Sequence, residues 1–169
     1  MYQCGEQVLY GIHGVCRIVA LEKRLVDRKQ VEYYVLEPVD QAGARFYVPT
    51  HNQAAVAKLR RVLSLQELTQ LLQSEAVQQN AWIEDEGKRR LYYRDLICSG
   101  NRAALISMVH SLHRHKEAQA AAGKKFHQCD ENFLRDAEKL LDSEFSLVLK
   151  IPQEQVAEYV CSVLQGNEI

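Results

Sequence analysis

The sequence lacks any long apolar run, and this absence argues against a membrane-spanning helix. Nowhere in its 169 residues is there an apolar stretch approaching the roughly 20 residues that a bilayer-spanning helix needs. The N-terminal residues MYQCGEQVLY also lack the basic segment followed by apolar residues that marks a secretory signal. We therefore expect a cytoplasmic protein that makes no membrane contact.

Closely spaced cysteine pairs are missing as well. The five cysteines are scattered without a CxxC pair, and an odd number suits no disulfide framework, so reduced thiols are expected. Three histidines cluster on one predicted helix, but their spacing does not bring all three to one face. We predict no metal site and no cofactor at the residues concerned, which are Cys4, Cys16, Cys98, Cys129, Cys161, His110, His113 and His115.

Sequence signatures of enzymes are absent. The chain contains no GxGxxG, no GxxxxGK followed by Ser or Thr, no GxSxG and no HExxH. A catalytic thiol needs an activating base, and the one cysteine with a histidine nearby is Cys129, two residues after His127. Neighbours in sequence point apart on most backbones. The sequence therefore predicts a protein that is not an enzyme.

An excess of charge of one sign is also missing, since the formal net charge is −1. The distribution is uneven, however. Residues 82–125 carry nine Lys and Arg against five acids, whereas residues 126–169 carry three against nine. A basic segment followed by an acidic one fits a phosphate-facing patch with an acidic far side, and it fits an ordinary solvated surface equally well.

The first fifty residues have the texture of β structure. Short runs rich in Val, Ile, Tyr and Phe alternate with turn residues, and glycines 11 and 14 suit a tight connection after the first run. Several short strands without a helix among them imply a small, strongly bent antiparallel sheet or partial barrel. The candidate strands are EQVLY, VCRIVALEKRLV, VEYYVLEPV and ARFYVP.

After Pro49 the pattern becomes helical. Ser64-Leu65-Gln66-Glu67 has the spacing of a capping box, which begins a short helix through about residue 72. Residues 73–80 are polar and predict a loop. A helix is then expected from Trp82 to about residue 97, ended by Ser99-Gly100.

Three further signals define the remaining helices. Asn101 can cap a long helix that Gly123 ends, Asp130 begins the next, and Pro152 opens a last helix that ends near Gly166. The fold class is thus α+β, with a small antiparallel β domain at residues 1–55 and an all-α domain of about five helices at residues 56–169.

Aromatic residues in the helical part are the most informative candidates for binding. Trp82, the one tryptophan, stands at the predicted start of a helix that carries Lys88, Arg89 and Arg90. An indole can wedge between bases while cations hold the phosphates, or it can anchor a core, as tryptophan often does. Tyr92 and its neighbour Tyr93 lie about 100° apart on a helix, so one of them is expected at the surface.

The β segment resembles the polymerase-interaction domain of the CarD family, a Tudor-like module. The resemblance is carried by CGEQVLY, HGV, YYVL and FYVP, in that order, at residues 4–10, 13–15, 33–36 and 46–49. The same module occurs in the transcription-repair coupling factor, ahead of a helicase for which this chain is too short. The helical part is similar too, at residues 96–100, 123–125 and 137–141.

The resemblance implies a Tudor-like β barrel that binds the β subunit of RNA polymerase. Arg24 falls where the family has a polymerase-contacting arginine. A second arginine would fall at position 47, where this chain has Tyr47, with Arg45 two residues earlier on the same strand face. The polymerase-binding residues expected here are therefore Arg24, Arg45 and Tyr47.

For the helical domain, the resemblance implies contact with promoter DNA, largely through the backbone and the minor groove. The wedge and phosphate contacts would fall to Trp82, Lys88, Arg89 and Arg90, although a gap-free count places the family's tryptophan at Asp85. The chain is thus expected to be a bacterial, nucleoid-associated and monomeric regulator of promoter open-complex stability. An alternative, motivated by the acidic residues 84–86, is a polymerase-tethered protein-interaction module that does not contact DNA.

Overall fold

The computed structural model describes residues 1–41, 43–78 and 82–164, and it divides the chain into two compact units, Met1–Val62 and Leu63–Ile169. An antiparallel sheet comes first and helices follow, which confirms the predicted α+β class. The division falls later than residue 55, where the sequence placed it. The reason is a short strand at Leu59–Arg61 that pairs with the first strand of the sheet.

The first unit is built on a five-stranded sheet in which every described pair of neighbours is antiparallel. The four predicted strands are present. The fifth was missed because it is short and two of its three residues are arginines, so it has no apolar alternation to detect. The strands are β1 (Gln7–Tyr10), β2 (Val15–Val26), β3 (Lys29–Pro38), β4 (Phe46–Pro49) and β5 (Leu59–Arg61), in the order β4-β3-β2-β1-β5.

The sheet is strongly curved, as its aromatic contacts show. Tyr10 at the end of β1 reaches Phe46 on β4, with ring centroids 5.5 Å apart, although two strands lie between them in the sheet order. A 3-10 turn, Gly11–His13, and a short helix, α1 (Gln53–Val56), complete the unit. The concave side encloses a core of Val8, Cys16, Ile18, Tyr34, Leu36, Val48 and Leu59.

Within the described residues the second unit has six helices, against about five expected. The extra one is a four-residue helix inside the stretch predicted as a loop, of which residues 79 and 80 lie outside the described part. The helices are α2 (Leu65–Leu72), α3 (Glu75–Gln78), α4 (Glu86–Ser99), α5 (Arg102–Ala121), α6 (Gln128–Leu149) and α7 (Gln153–Leu164). The predicted end of α7 near Gly166 also lies outside the described residues.

Helix starts agree with the sequence at two positions and differ at two others. The capping box at Ser64 and the cap at Asn101 are both present. Helix α4 begins later than predicted, because the Asp85 carboxylate accepts the amide of Lys88 at 2.8 Å and caps the helix there. Helix α6 begins earlier, after His127, and leaves Asp130 inside its first turn.

The core of the helical unit forms along apolar stripes of α5 and α6. On α5 the residues at 105, 106 and 112 are buried, and on α6 those at 134, 137, 141 and 145 are buried, with Phe145 fully inaccessible. Residues three and four apart share a helix face, so two such stripes pack against each other. No helix among the described residues is both long and apolar enough to cross a membrane.

A buried carboxylate also holds the helical unit together. Glu144 is 2% exposed, and it accepts hydrogen bonds from Arg102 at 2.6 and 2.7 Å and from the backbone amide of Leu63 at 3.0 Å. The pair therefore joins the start of α5 to the C-terminal half of α6 and to the residue before the α2 cap. Such a group is tolerated inside a protein because its hydrogen-bonding capacity is satisfied.

Replacing Glu144 should destabilise the helical unit more than replacing a partly exposed glutamate of the same helix. We expect Glu144→Ala to lower the free energy of unfolding by about 3–5 kcal/mol, because it removes the buried carboxylate that accepts hydrogen bonds from Arg102 and from the Leu63 amide. Glu131→Ala, whose ion pair with Lys116 is partly exposed, should cost less than about 1 kcal/mol. Chemical denaturation followed by helical circular dichroism measures both, and equal losses would contradict the structural role of Glu144.

Candidate functional site

Arg24 and Tyr47 meet on the convex face of the first unit. The Arg24 guanidinium carbon lies 3.7 Å from the centre of the Tyr47 ring, and its Nη2 lies 2.9 Å from a carboxylate oxygen of Glu22. Glu22 and Arg24 are two residues apart on β2, so they project from the same face of the strand. The hydrogen bond to Glu22 raises the pKa of Arg24. The guanidinium is therefore a positioned, permanent charge at the surface.

Arg45 lies on the same face. Its Nε donates to Glu37 at 2.8 Å, which raises the pKa of Arg45, and its side chain is 54% exposed. The Tyr33 ring meets the Tyr47 ring edge to face at 6.5 Å. The structure thus brings the three predicted polymerase-binding residues together. We call this surface the outer patch and define it as Glu22, Arg24, Tyr33, Glu37, Arg45 and Tyr47.

Sequence reasoning missed the other three members of the outer patch, although a signal for them was available. Tyr33 pairs with Glu22 in the ladder between β2 and β3. The ladder between β3 and β4 pairs Leu36 with Phe46, which places Glu37 beside Arg45. Directly opposed residues share a face, so knowledge of the register would have placed both near the arginines. The register between β2 and β3 depends on an irregularity between Ile18 and Ala20. No signal in the sequence predicts this irregularity.

Trp82, the predicted wedge, is packed against the helical unit. Its ring stacks on His115 with centroids 3.6 Å apart and 13° between the planes, and the Arg89 guanidinium lies 4.5 Å from the indole centre. Trp82 is partly buried and adjoins the hydrophobic core. Burial, reinforced by Arg89, lowers the pKa of His115, so an uncharged imidazole stacks on the indole at neutral pH. This position matches the core-anchor interpretation.

Arg89 has a structural position rather than an exposed one. Its side chain is 4% exposed; Nε and Nη2 donate to the two carboxylate oxygens of Asp130 at 3.0 and 2.9 Å. Nη1 donates to the carbonyl oxygens of Ile83 and Glu84. Because its donors are engaged inside the protein, Arg89 is not placed to meet a phosphate, and it instead holds α4, α6 and residues 83–84 together.

Lys88 and Arg90 point to solvent on α4, as a phosphate contact requires. The four predicted DNA-binding residues are therefore divided, with Trp82 and Arg89 packed inside and the other two outside. The surface of α4 also exposes Leu91 at 55% and Tyr92 at 49%. As expected for the adjacent tyrosines, one is exposed while Tyr93 is buried.

The histidines that cluster on α5 have separate partners. His113 lies 2.6 Å from a carboxylate oxygen of Glu138, and His115 stacks on Trp82. Over the described ranges, no group of three or more His, Cys, Asp or Glu side chains is placed to hold a metal ion.

Removing the indole should destabilise the fold. We expect Trp82→Ala to lower the free energy of unfolding of the helical unit by about 2–4 kcal/mol, because it removes a large partly buried ring and its stacking partners. Tyr92→Ala, at an exposed aromatic of the same region, should change it by less than about 0.5 kcal/mol. Thermal unfolding followed by circular dichroism compares the two; an unchanged melting temperature for Trp82→Ala would favour the wedge interpretation instead.

Comparison with known protein families locates a recognisable domain in the first unit. Residues 2–63 match the CarD-like/TRCF RID domain, and this span takes in all five strands and the outer patch. No curated protein matches the chain significantly. The first unit thus matches the CarD-like/TRCF RID domain family, which supports a CarD-like relationship for this part of the chain.

Proposed function

We propose that the chain is a transcription regulator that binds the RNA polymerase β subunit through the outer patch of its RID domain. The RID domain suggests interaction with RNA polymerase, and the outer patch supplies a surface of the right chemistry. Arginine and tyrosine are enriched among the residues that dominate protein interfaces. The stacking of Arg24 on Tyr47 is the observation that carries this proposal.

The outer patch is organised before any partner arrives. Arg24 is held by Glu22 and by the Tyr47 ring, and Arg45 is held by Glu37. Side chains that are already ordered lose less conformational entropy on binding, which favours affinity. Arginine stacked on an aromatic ring also keeps further N–H donors for a carboxylate or carbonyl of the partner.

In this proposal the helical unit binds promoter DNA through the exposed cations of α4. Lys88 and Arg90 would contact the phosphate backbone and thereby modulate the stability of the open complex. Binding to polymerase by the RID domain raises the local concentration of the helical unit, so its DNA contacts can be individually weak. No chemical reaction of the protein's own is required.

A second candidate function keeps the tether but makes the helical unit a protein-interaction module. It is favoured by the exposed apolar pair Leu91 and Tyr92 on α4 and by the exposed acids at residues 84–86 just before that helix. Apolar and aromatic side chains at the surface mark protein interfaces, whereas acids repel phosphates. The two candidates differ in how their binding responds to salt.

Substitutions in the outer patch should weaken polymerase binding without unfolding the protein. We expect Arg24→Ala and Tyr47→Ala each to weaken binding of the full-length chain to the polymerase β subunit by about tenfold, as loss of an interface anchor does. Lys29→Ala, exposed on β3 outside the outer patch, is the matched control and should bind normally. Surface plasmon resonance with immobilised β subunit measures the three; normal binding by both patch variants would exclude this surface.

If the helical unit binds DNA, its affinity for DNA should fall as the salt concentration rises. Each lysine or arginine that neutralises a phosphate adds about 0.9 to the slope of log affinity against log salt concentration. We therefore expect Lys88→Ala with Arg90→Ala to weaken binding to promoter DNA and to lower this slope by about 1–2.

Leu91→Ala with Tyr92→Ala is the matched comparison on the same helix and should leave the salt slope unchanged. Fluorescence anisotropy at several salt concentrations provides the measurement. Affinity that does not depend on salt, or on Lys88 and Arg90, would support the protein-interaction candidate over DNA binding.

A further inference from the structure

A cavity of about 420 Å³ opens between α5, α6 and α7, and its lining includes neither Trp82 nor any residue of α4. Its floor is apolar and is formed by side chains of the core, including Ile106, Leu141, Phe145 and Val156. This volume lies in the range of roughly 300–1,000 Å³ in which small molecules are bound. The cavity belongs to the helical unit alone.

A few polar groups converge on this apolar floor. His113 and Glu138 pair with each other at 2.6 Å, and the hydrogen bond to Glu138 raises the pKa of His113. The hydrogen bond favours the protonated form of the imidazole, whose charge offsets that of the carboxylate. At the rim stand Arg114, Glu117 and Glu158, so acidic side chains outnumber basic ones around the opening.

Asp142 is a partly buried carboxylate of this cavity for which the described residues provide no ion-pair or hydrogen-bond partner. Within the described residues, none of the ion pairs or side-chain hydrogen bonds involves its carboxylate, although the side chain is partly buried. Burial, with Glu138 nearby, raises the pKa of Asp142 to about 6, so the group is ionised at neutral pH. A desolvated carboxylate without a counterion is unfavourable, and a cation placed beside it would relieve that penalty.

We propose that this cavity binds a small organic cation, with an apolar body on the floor and a protonated amine paired with Asp142. The apolar lining accommodates hydrocarbon, and the surplus of carboxylates selects for positive charge over negative charge. A bare metal ion does not fit these features, since no group of three or more suitable ligands exists in the described residues. The site is independent of the polymerase and DNA contacts.

Three probes that share one apolar body distinguish this proposal from hydrophobic binding that does not select for charge. They are 4-phenylbutylamine, 4-phenylbutan-1-ol and 4-phenylbutyrate, titrated separately into the full-length protein at about pH 7.5, where Asp142 is ionised. Amide chemical shifts in two-dimensional NMR spectra give both the location and the affinity. We expect the amine to bind about tenfold more tightly than the alcohol, as a charge-assisted hydrogen bond provides, and the carboxylate to bind most weakly.

Substitutions test whether Asp142 causes the preference for the amine over the alcohol. Asp142→Asn should reduce the affinity for the amine to that for the alcohol, whereas Asp136→Asn, at an exposed carboxylate of the same helix, should preserve the tenfold preference. Ala157→Phe, which places a ring into the cavity from α7, should abolish binding of both probes. This last variant keeps the test valid if Asp142→Asn fails to fold.

Other outcomes would overturn the proposal. Equal affinities for the three probes would show that the cavity does not select for charge. Amine-induced shifts confined to residues outside α5, α6 and α7 would place the ligand elsewhere. Absence of binding by every probe to a folded chain would show that the cavity is not a ligand site, and none of these results bears on polymerase binding.

Discussion

The buried ion pair between Arg89 and Asp130 determines what the helical unit can present to a partner. An arginine inside a protein is tolerated only when its donors are satisfied. Here the carboxylate takes two of them and two backbone carbonyls take another. These partners come from α6 and from residues 83–84, so all three segments must keep one arrangement. Trp82, which stacks on His115 beside the guanidinium, is held inward by the same contacts.

The sheet unit follows the opposite principle, because its arginines stay at the surface. Glu22, two residues away on β2, orders Arg24, and Glu37 on β3 orders Arg45. Roughly half of each arginine side chain remains exposed. Ion pairs of this kind contribute little to stability. Their effect is to orient the guanidinium groups around Tyr47. An arginine ordered at the surface is available for binding, whereas one satisfied in the interior is not.

Local signals in the sequence predicted most helices and strands, but they did not predict contacts between residues that are distant in the sequence. Ser64 with Glu67, and Asn101, act on amides within three residues, so their spacing alone predicts a helix start. The strands carry enough alternation to be found. Arg89 and Asp130 are separated by 41 positions, and nothing in either neighbourhood distinguishes a buried arginine from a phosphate-binding one. The same limit explains why Arg89 was grouped with Lys88 and Arg90.

The charge asymmetry along the chain takes on a different meaning once these pairs are known. Acids of α6 bind basic or protonatable residues of the segment before it; the pairs are Arg89 with Asp130, Arg102 with Glu144, Lys116 with Glu131, and His113 with Glu138. Much of the basic excess is therefore used to assemble the helices, which reduces the positive potential available to DNA. Any phosphate contact must then come from exposed cations such as Lys88 and Arg90. That restriction is why ionic strength separates the two candidate functions of this unit so directly.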